Sequence, residues 1–162
     1  MPLSTRFAVA IHTAGMLAVL GEREPVTSDA VAKSVDTNPV VVRRVIAMLA
    51  RRGLVNVRKG QHGGATLARP PETIRLDEIY RAVEPGPLFA VPVPGPNREC
   101  PIGRCVGAVL ERFFHRAETG MLATLHGMTL ADVIESVKER AECQPQQKRK
   151  SIIHELLQNQ KR

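Results

Sequence analysis

In the 35 residues between Asp36 and Glu72 the chain has no acidic residue, while Arg43, Arg44, Arg51, Arg52, Arg58, Lys59 and Arg69 all fall there. The same stretch is punctuated. Asn38 and Pro39 open a helical pattern, Gly53 closes it, and NVRKGQHGGATLAR reads as two short strands around a glycine-rich basic tip. Asparagine caps helices well, and proline suits the first helical position, where the amide has no intrahelical partner. Glycine accepts the backbone angles that a tight reversal needs. A helix followed by a basic hairpin, on a face without counter-charge, points to a winged helix and to a polyanionic partner.

The residues upstream fit this frame. Ser4 can cap a first helix whose Phe7, Ala10, Ile11, Ala14, Leu17 and Ala18 repeat at the three-and-four spacing of one apolar face, ending before Gly21. Thr27 or Ser28 caps a shorter helix with Ala30, Val31 and Val35 on its apolar side, and Asp36-Thr37-Asn38 turns the chain. In the next helix Val42, Val45, Ile46 and Leu49 form the buried stripe. Two helices joined by a tight turn, the second rich in arginine, make a helix-turn-helix. Leu54, Val55 and Val57 favour the first strand of the hairpin and Leu67 the return strand.

Beyond the hairpin, Ile74, Leu76, Ile79, Tyr80 and Val83 predict a short helix. Residues 85 to 101 hold six prolines and two glycines, which rules out a regular element and marks a loop. Pro101 then fits the first position of a long helix in which Ile102, Val106, Val109, Leu110, Phe113, Phe114, Met121 and Leu125 build a broad apolar face. One small domain can hardly bury such a face, so a second copy is expected to cover it through residues 101–125. Thr129 and Asp132 resemble a capping box opening a last helix through Val133, Ile134 and Val137. The expected organisation is a winged helix-turn-helix domain over residues 1–84, a proline-rich loop over 85–100, a dimerisation helix with a short packing helix over 101–142, and a basic tail over 143–162. The tail would be either one amphipathic set of turns around Ile152, Ile153, Leu156 and Leu157 or disordered.

Charge is unevenly spread. Residues 1–70 carry a net +6, residues 71–143 a net −3 and residues 144–162 a net +4, within an overall +7. No secretory signal opens the chain, and no apolar run approaches the roughly 20 residues needed to cross a bilayer. These features predict a cytoplasmic protein without a membrane partner. No aromatic residue in the acid-free window could stack unpaired bases, so duplex DNA is favoured over RNA. Asn38, Val40, Val41 and Arg44 would face the major groove, where arginine pairs with guanine and valine touches a thymine methyl. Arg51, Arg52, Lys59 and Arg69 would meet phosphates. Ser28, Arg43, Gln61 and His62 complete the expected DNA-binding set.

Enzymatic and metal chemistry find little support. The segment RKGQHGGA lacks the lysine-then-hydroxyl ending and the following helix of a phosphate-binding loop. The five histidines show no metal-ligand spacing, and no catalytic set can be assembled. An odd three cysteines argue against a secreted disulfide scaffold. Cys100 and Cys105 are different, because a helix N-terminus and the neighbouring Arg98 and Arg104 stabilise thiolate. In a regular helix their alpha carbons would lie about 7.5 Å apart along the axis, beyond the roughly 7 Å limit for a bridge. A disulfide between them would therefore unwind the first turn, a redox switch on the expected dimer element; the alternative is two inert thiols.

STRFAVAIHTAGMLAVL, the wing GLVNVRKGQHGGATLAR, CPIGRC and AETGMLATLHGMTLADV together resemble the Rrf-type winged-helix transcriptional regulators, in order over residues 2 to 140. The resemblance implies a mainly α fold with a small β-hairpin wing, a homodimer on palindromic operator DNA, and a sensory loop before the dimerisation helix. It places the recognition helix at Asn38 to Arg52 and the wing at Arg58 to Ala65. Family members with a [2Fe-2S] cluster carry three cysteines in the loop, whereas this chain has Cys100 and Cys105 there and Cys143 after the last family helix. The expectation is a cluster-free, redox-responsive repressor with no cofactor. A [2Fe-2S]-dependent regulator and a cysteine-based redox enzyme are the alternatives.

Overall fold

A computed structural model describes residues 4–21, 24–60, 62–91, 97 and 99–142. The expected Gln61, Arg98, Cys143 and the basic tail lie outside these residues. Six α-helices and one hairpin follow in the order α1 (Arg6–Leu20), α2 (Ser28–Val35), α3 (Pro39–Arg51), β1 (Val55–Arg58), β2 (Gly64–Leu67), α4 (Leu76–Val83), α5 (Gly103–His126) and α6 (Leu130–Glu142). A short 3-10 turn, Pro71–Thr73, precedes α4. The fold is mainly helical with a small wing, as the sequence implies.

The core is assembled from one stripe of each helix in the first half. Ala10, Ala14 and Leu17 of α1, Val31 of α2, Val42, Val45 and Leu49 of α3, and Ile79 and Val83 of α4 are essentially inaccessible. Burying each large aliphatic side chain contributes about 1.5 to 3 kcal/mol relative to leaving it in water. The Phe7 and Tyr80 rings meet edge to face, 5.3 Å between centroids, and pin α1 to α4. Burial pushes the Tyr80 hydroxyl pKa up, and the nearby Glu118 and Glu84 carboxylates add to the rise.

Local chemistry explains where the helices start. Thr27, not Ser28, caps α2, its hydroxyl accepting from the Ala30 amide at 3.2 Å. Asn38 caps α3 with its side-chain oxygen 2.8 Å from the Val40 amide, and Pro39 occupies the first position. Thr129 and Asp132 close a reciprocal box at α6: the Thr129 amide donates to Asp132 at 2.7 Å and the Asp132 amide to Thr129 Oγ1 at 3.1 Å.

Two starts differ from the sequence reading. Thr5 stands at the cap position of α1 without a side-chain bond to it; Ser4 Oγ accepts from the Arg6 amide and guanidinium at 3.3 and 3.2 Å and donates to Glu84, because α4 brings that carboxylate alongside. The long helix is assigned from Gly103, two residues after Pro101; ahead of it the Cys100 amide donates to the Asn97 carbonyl at 3.3 Å and the Cys100 carbonyl accepts from the Arg104 amide at 3.0 Å. A side chain at Gly103 would collide with the Asn97 carbonyl.

The hairpin is antiparallel, with Val55 opposite Leu67 and Arg58 opposite Gly64. A third extended segment joins it. The Val26 and Ala65 amides and carbonyls exchange bonds of 2.9 Å, which fastens the hairpin to the loop before α2. Gly64 permits the approach, since a Cβ there would sit 2.8 Å from Pro25 and Val26 backbone atoms. At the tip, Gly60 adopts φ 107°, a conformation that side chains strongly disfavour.

At the other end, α5 contributes no fully buried residue. Its C-terminal half lies along α4, where His126 Nδ1 meets the buried Asp77 carboxylate at 3.2 Å and Leu125 packs against the core. Backbone bonds from Leu76 to Met128 and from Leu130 to Ile74, 3.0 and 2.9 Å, clasp this joint. Near its N-terminal half Phe114 stacks on Phe89 of the proline-rich loop, 5.0 Å between centroids. No helix among the described residues is long and apolar enough to cross a membrane.

Candidate nucleic-acid interface

The α2–turn–α3 unit sets the geometry. Asp36 ends α2 in the left-handed conformation, φ 55°, and the Thr37 amide reaches back to the Ala32 carbonyl at 3.0 Å, so the chain reverses within three residues. Aspartate tolerates that conformation better than most residues. Because Val42, Val45, Ile46 and Leu49 face the core, the opposite side of α3 is left in solvent: Val40, Val41, Arg43, Arg44, Ala47 and Arg51 are all exposed. Exposed valines at the start of a helix, beside arginines, supply methyl groups and guanidinium forks on one surface, the combination that reads base edges in a major groove.

The structure brings Ser28 and Arg43 together across the turn. Arg43 Nε donates to Ser28 Oγ at 3.1 Å, and its Nη2 lies 3.6 Å from Asp29 Oδ2. Arg51 folds back on its own helix, Nε donating to the Ala47 carbonyl at 3.3 Å. Arg52, Lys59 and His62 are exposed, the latter two at the wing tip. Asn38 spends its side-chain oxygen on the cap and keeps its amide group for other partners. Between α3 and the wing runs a cleft of about 230 Å³, floored by Ile46, Ala47 and Val57 and edged by Ser28, Arg43 and Arg58.

Arg69 departs from the expectation that it meets phosphate. Its guanidinium donates to the Thr73 carbonyl at 2.6 Å and to Glu78 at 2.5 Å, so it ties the end of the wing to α4. The sequence reading also missed the bridge from Val26 to Ala65 and Asp29 as the partner of Arg43. An acid at the second position of a helix reads as a complement to the helix dipole, and nothing local in the sequence shows that an arginine from another helix arrives there. His12 bonds Ser34 at 2.9 Å between α1 and α2, and burial lowers its pKa.

The loop cysteines form a second locus. Cys100 and Cys105 are both exposed and unbridged. Cys100 sits in the turn held by Asn97, its amide donating to the Asn97 carbonyl at 3.3 Å, and Cys105 is the third residue of α5. The Arg104 amide donates to the Cys100 carbonyl at 3.0 Å, an i to i−4 bond, so the chain from Cys100 into α5 already has helical bonding. Among the described residues no three His, Cys, Asp or Glu side chains are grouped to hold a metal. A cluster bound here would need ligands beyond the two loop thiols.

Comparison with known proteins agrees with this geometry. Residues 3–136 match the profile of a family described as Rrf2, iron-dependent transcriptional regulator. The chain is 38% identical over 133 residues to YwnA of Bacillus subtilis (strain 168), a proposed HTH-type transcriptional regulator, covering 82% of this chain and 96% of that one. It is also 38% identical over 86 residues to the HTH-type transcriptional regulator IscR of Cereibacter sphaeroides, covering 52% of this chain and 56% of that one. A crystal structure of a proposed DNA-binding protein superposes with a TM-score of 0.64 at 34% identity, covering 80% of this chain and 98% of the other.

Proposed function

The chain belongs to the Rrf2 family of DNA-binding transcriptional regulators, and from that membership we propose that it is a homodimeric, sequence-specific repressor. The observation that carries this reading is the exposed face of α3, where Val40, Val41 and Arg44 stand free of the core at the start of a capped helix. Val40, Val41 and Arg44 read bases, while Arg51, Arg52, Lys59 and His62 approach the phosphates on either side. The partner is a palindromic duplex in the cytoplasm, because two copies related by a two-fold axis present two such helices to successive turns of the groove.

Dimerisation is assigned to α5. Ile102, at the cap of that helix, and Val109 and Phe113 on it are 74%, 45% and 62% exposed, apolar area that a symmetric partner would remove from water. The signal is assigned to Cys100 and Cys105, which are open to solvent at the start of the same helix. In this reading the two thiols give two electrons and two protons to an oxidant such as a small disulfide, and the bridge reshapes the turn before α5. No cofactor takes part.

Selection of bound fragments from genomic DNA, with reduced and oxidised protein in parallel, tests the whole reading. A palindromic consensus is expected, and oxidation should lower its recovery. Arg44→Ala should weaken the selected site most. Lys59→Ala should lower all affinities and reduce the slope of log affinity against log salt by about one. Fragments without a common motif would refute sequence-specific regulation, and a consensus unaffected by oxidation would refute the cysteine switch alone.

A further inference from the structure

We propose that Asp29 is a positioning residue for DNA recognition: with Ser28 it holds the Arg43 guanidinium in one place, and so raises discrimination between the operator and other DNA. This rests on the DNA-binding reading given above. Three observations support it. Ser28 Oγ accepts from Arg43 Nε at 3.1 Å and donates to Asp29 Oδ2 at 3.3 Å, while Asp29 Oδ2 also faces Arg43 Nη2 at 3.6 Å. The guanidinium is thus gripped on one edge, and the Arg43 side chain remains 59% exposed, with donors left over. The grip sits beside the cleft between α3 and the wing, whose rim is Ser28, Arg43 and Arg58.

An unheld arginine on such a rim is a mobile cation that satisfies any phosphate within reach, which adds affinity without sequence information. A planar guanidinium fixed by two partners loses less freedom when it makes a directed contact, so a well-placed acceptor gains more than a misplaced one. The Asp29 carboxylate also opposes phosphates generally. That repulsion lowers affinity for operator and other DNA alike, so the discrimination comes from the held guanidinium alone.

The test is Asp29→Asn in the full chain, with affinities for the selected operator and for a scrambled duplex measured at one salt concentration, and thermal melting as a control for folding. The expected result is a ratio of specific to non-specific affinity lower by about fivefold, mostly through tighter binding to the scrambled duplex. Asp29→Glu should restore part of the ratio. In an Arg43→Lys background, where the fork is gone, Asp29→Asn should change the ratio little. Equal tightening on both duplexes would make Asp29 a bulk charge and overturn the proposal, as would a full loss of ratio in the Arg43→Lys background on top of its own effect. A wild-type chain with no preference between the duplexes would instead overturn the DNA-binding reading itself.

Discussion

Arg69 and Glu78 are joined by a 2.5 Å ion pair that connects the end of the wing to the first turn of α4. The same carboxylate accepts the Arg75 amide at 2.9 Å, so one side chain both starts a helix and anchors the chain leaving β2. Arg69→Ala should therefore destabilise the fold by about 1 to 2 kcal/mol, a range reduced for the partial solvent exposure of both groups. Urea denaturation measures it. DNA affinity at low salt should change far less than in Lys59→Ala; an equal loss would return Arg69 to the phosphate contacts.

The α3 cap gives a cleaner figure. Asn38→Ala should cost about 1 kcal/mol of stability, and Asn38→Gly only a few tenths, because glycine keeps a favourable cap conformation. A stability unchanged in Asn38→Ala by chemical denaturation would show that the 2.8 Å bond to the Val40 amide contributes nothing.

Gly64 is predicted to be intolerant of the smallest side chain. A Cβ 2.8 Å from the Pro25 and Val26 backbone must push β2 away from the loop before α2, costing about 1 to 3 kcal/mol. Faster hydrogen exchange at the Val26 and Ala65 amides in Gly64→Ala would locate the damage. Protection equal to wild type would contradict the contact.

Acid should loosen α6 through its box. The Thr129 backbone amide, and then the Thr129 hydroxyl, hold the Asp132 carboxyl below its ordinary pKa of 3.8. The unfolded chain thus binds the proton first as pH falls. The stabilisation is complete above 3.8 and disappears as pH drops through the lower folded value. Stability measured from pH 5 downward should fall less steeply in Asp132→Asn than in the wild type, and parallel curves would exclude this group.

The proposed dimer predicts that Phe113→Asp, a charge at a 62% exposed apolar position, lowers the mass seen by sedimentation towards one chain without lowering the stability of the first domain. A wild-type chain that sediments as a monomer would remove the assignment of α5.

What the sequence made legible was whatever short-range rules govern. The buried stripe of Val42, Val45, Ile46 and Leu49 follows from helical spacing, and its start from Asn38 and Pro39, all within a dozen residues. The box at Thr129 and Asp132 is equally local. The Arg69–Glu78 pair could not be read from the sequence because Glu78 comes near only after the 3-10 turn folds the chain back, and an arginine in a basic run looks identical whether or not it has a partner. Asp29 escaped notice for the same reason, its partner lying on the next helix. The assigned helix starts two residues after Pro101, yet the Arg104 amide already donates to the Cys100 carbonyl at 3.0 Å, the bond of a helix that opens at Pro101.

α5 is joined to the DNA-binding unit near His126, while its cysteines lie at the far end, about 30 Å away at 1.5 Å rise per residue. A rigid rod held near one end acts as a lever. A small displacement at Cys105 becomes a still smaller one at Asp77, so a signal applied at the cysteines has its greatest reach in whatever rests against the free end of the rod. In a two-fold assembly that neighbour would be the rod of the other copy, and the quantity most readily altered would be the spacing of the two reading helices rather than the shape of either one.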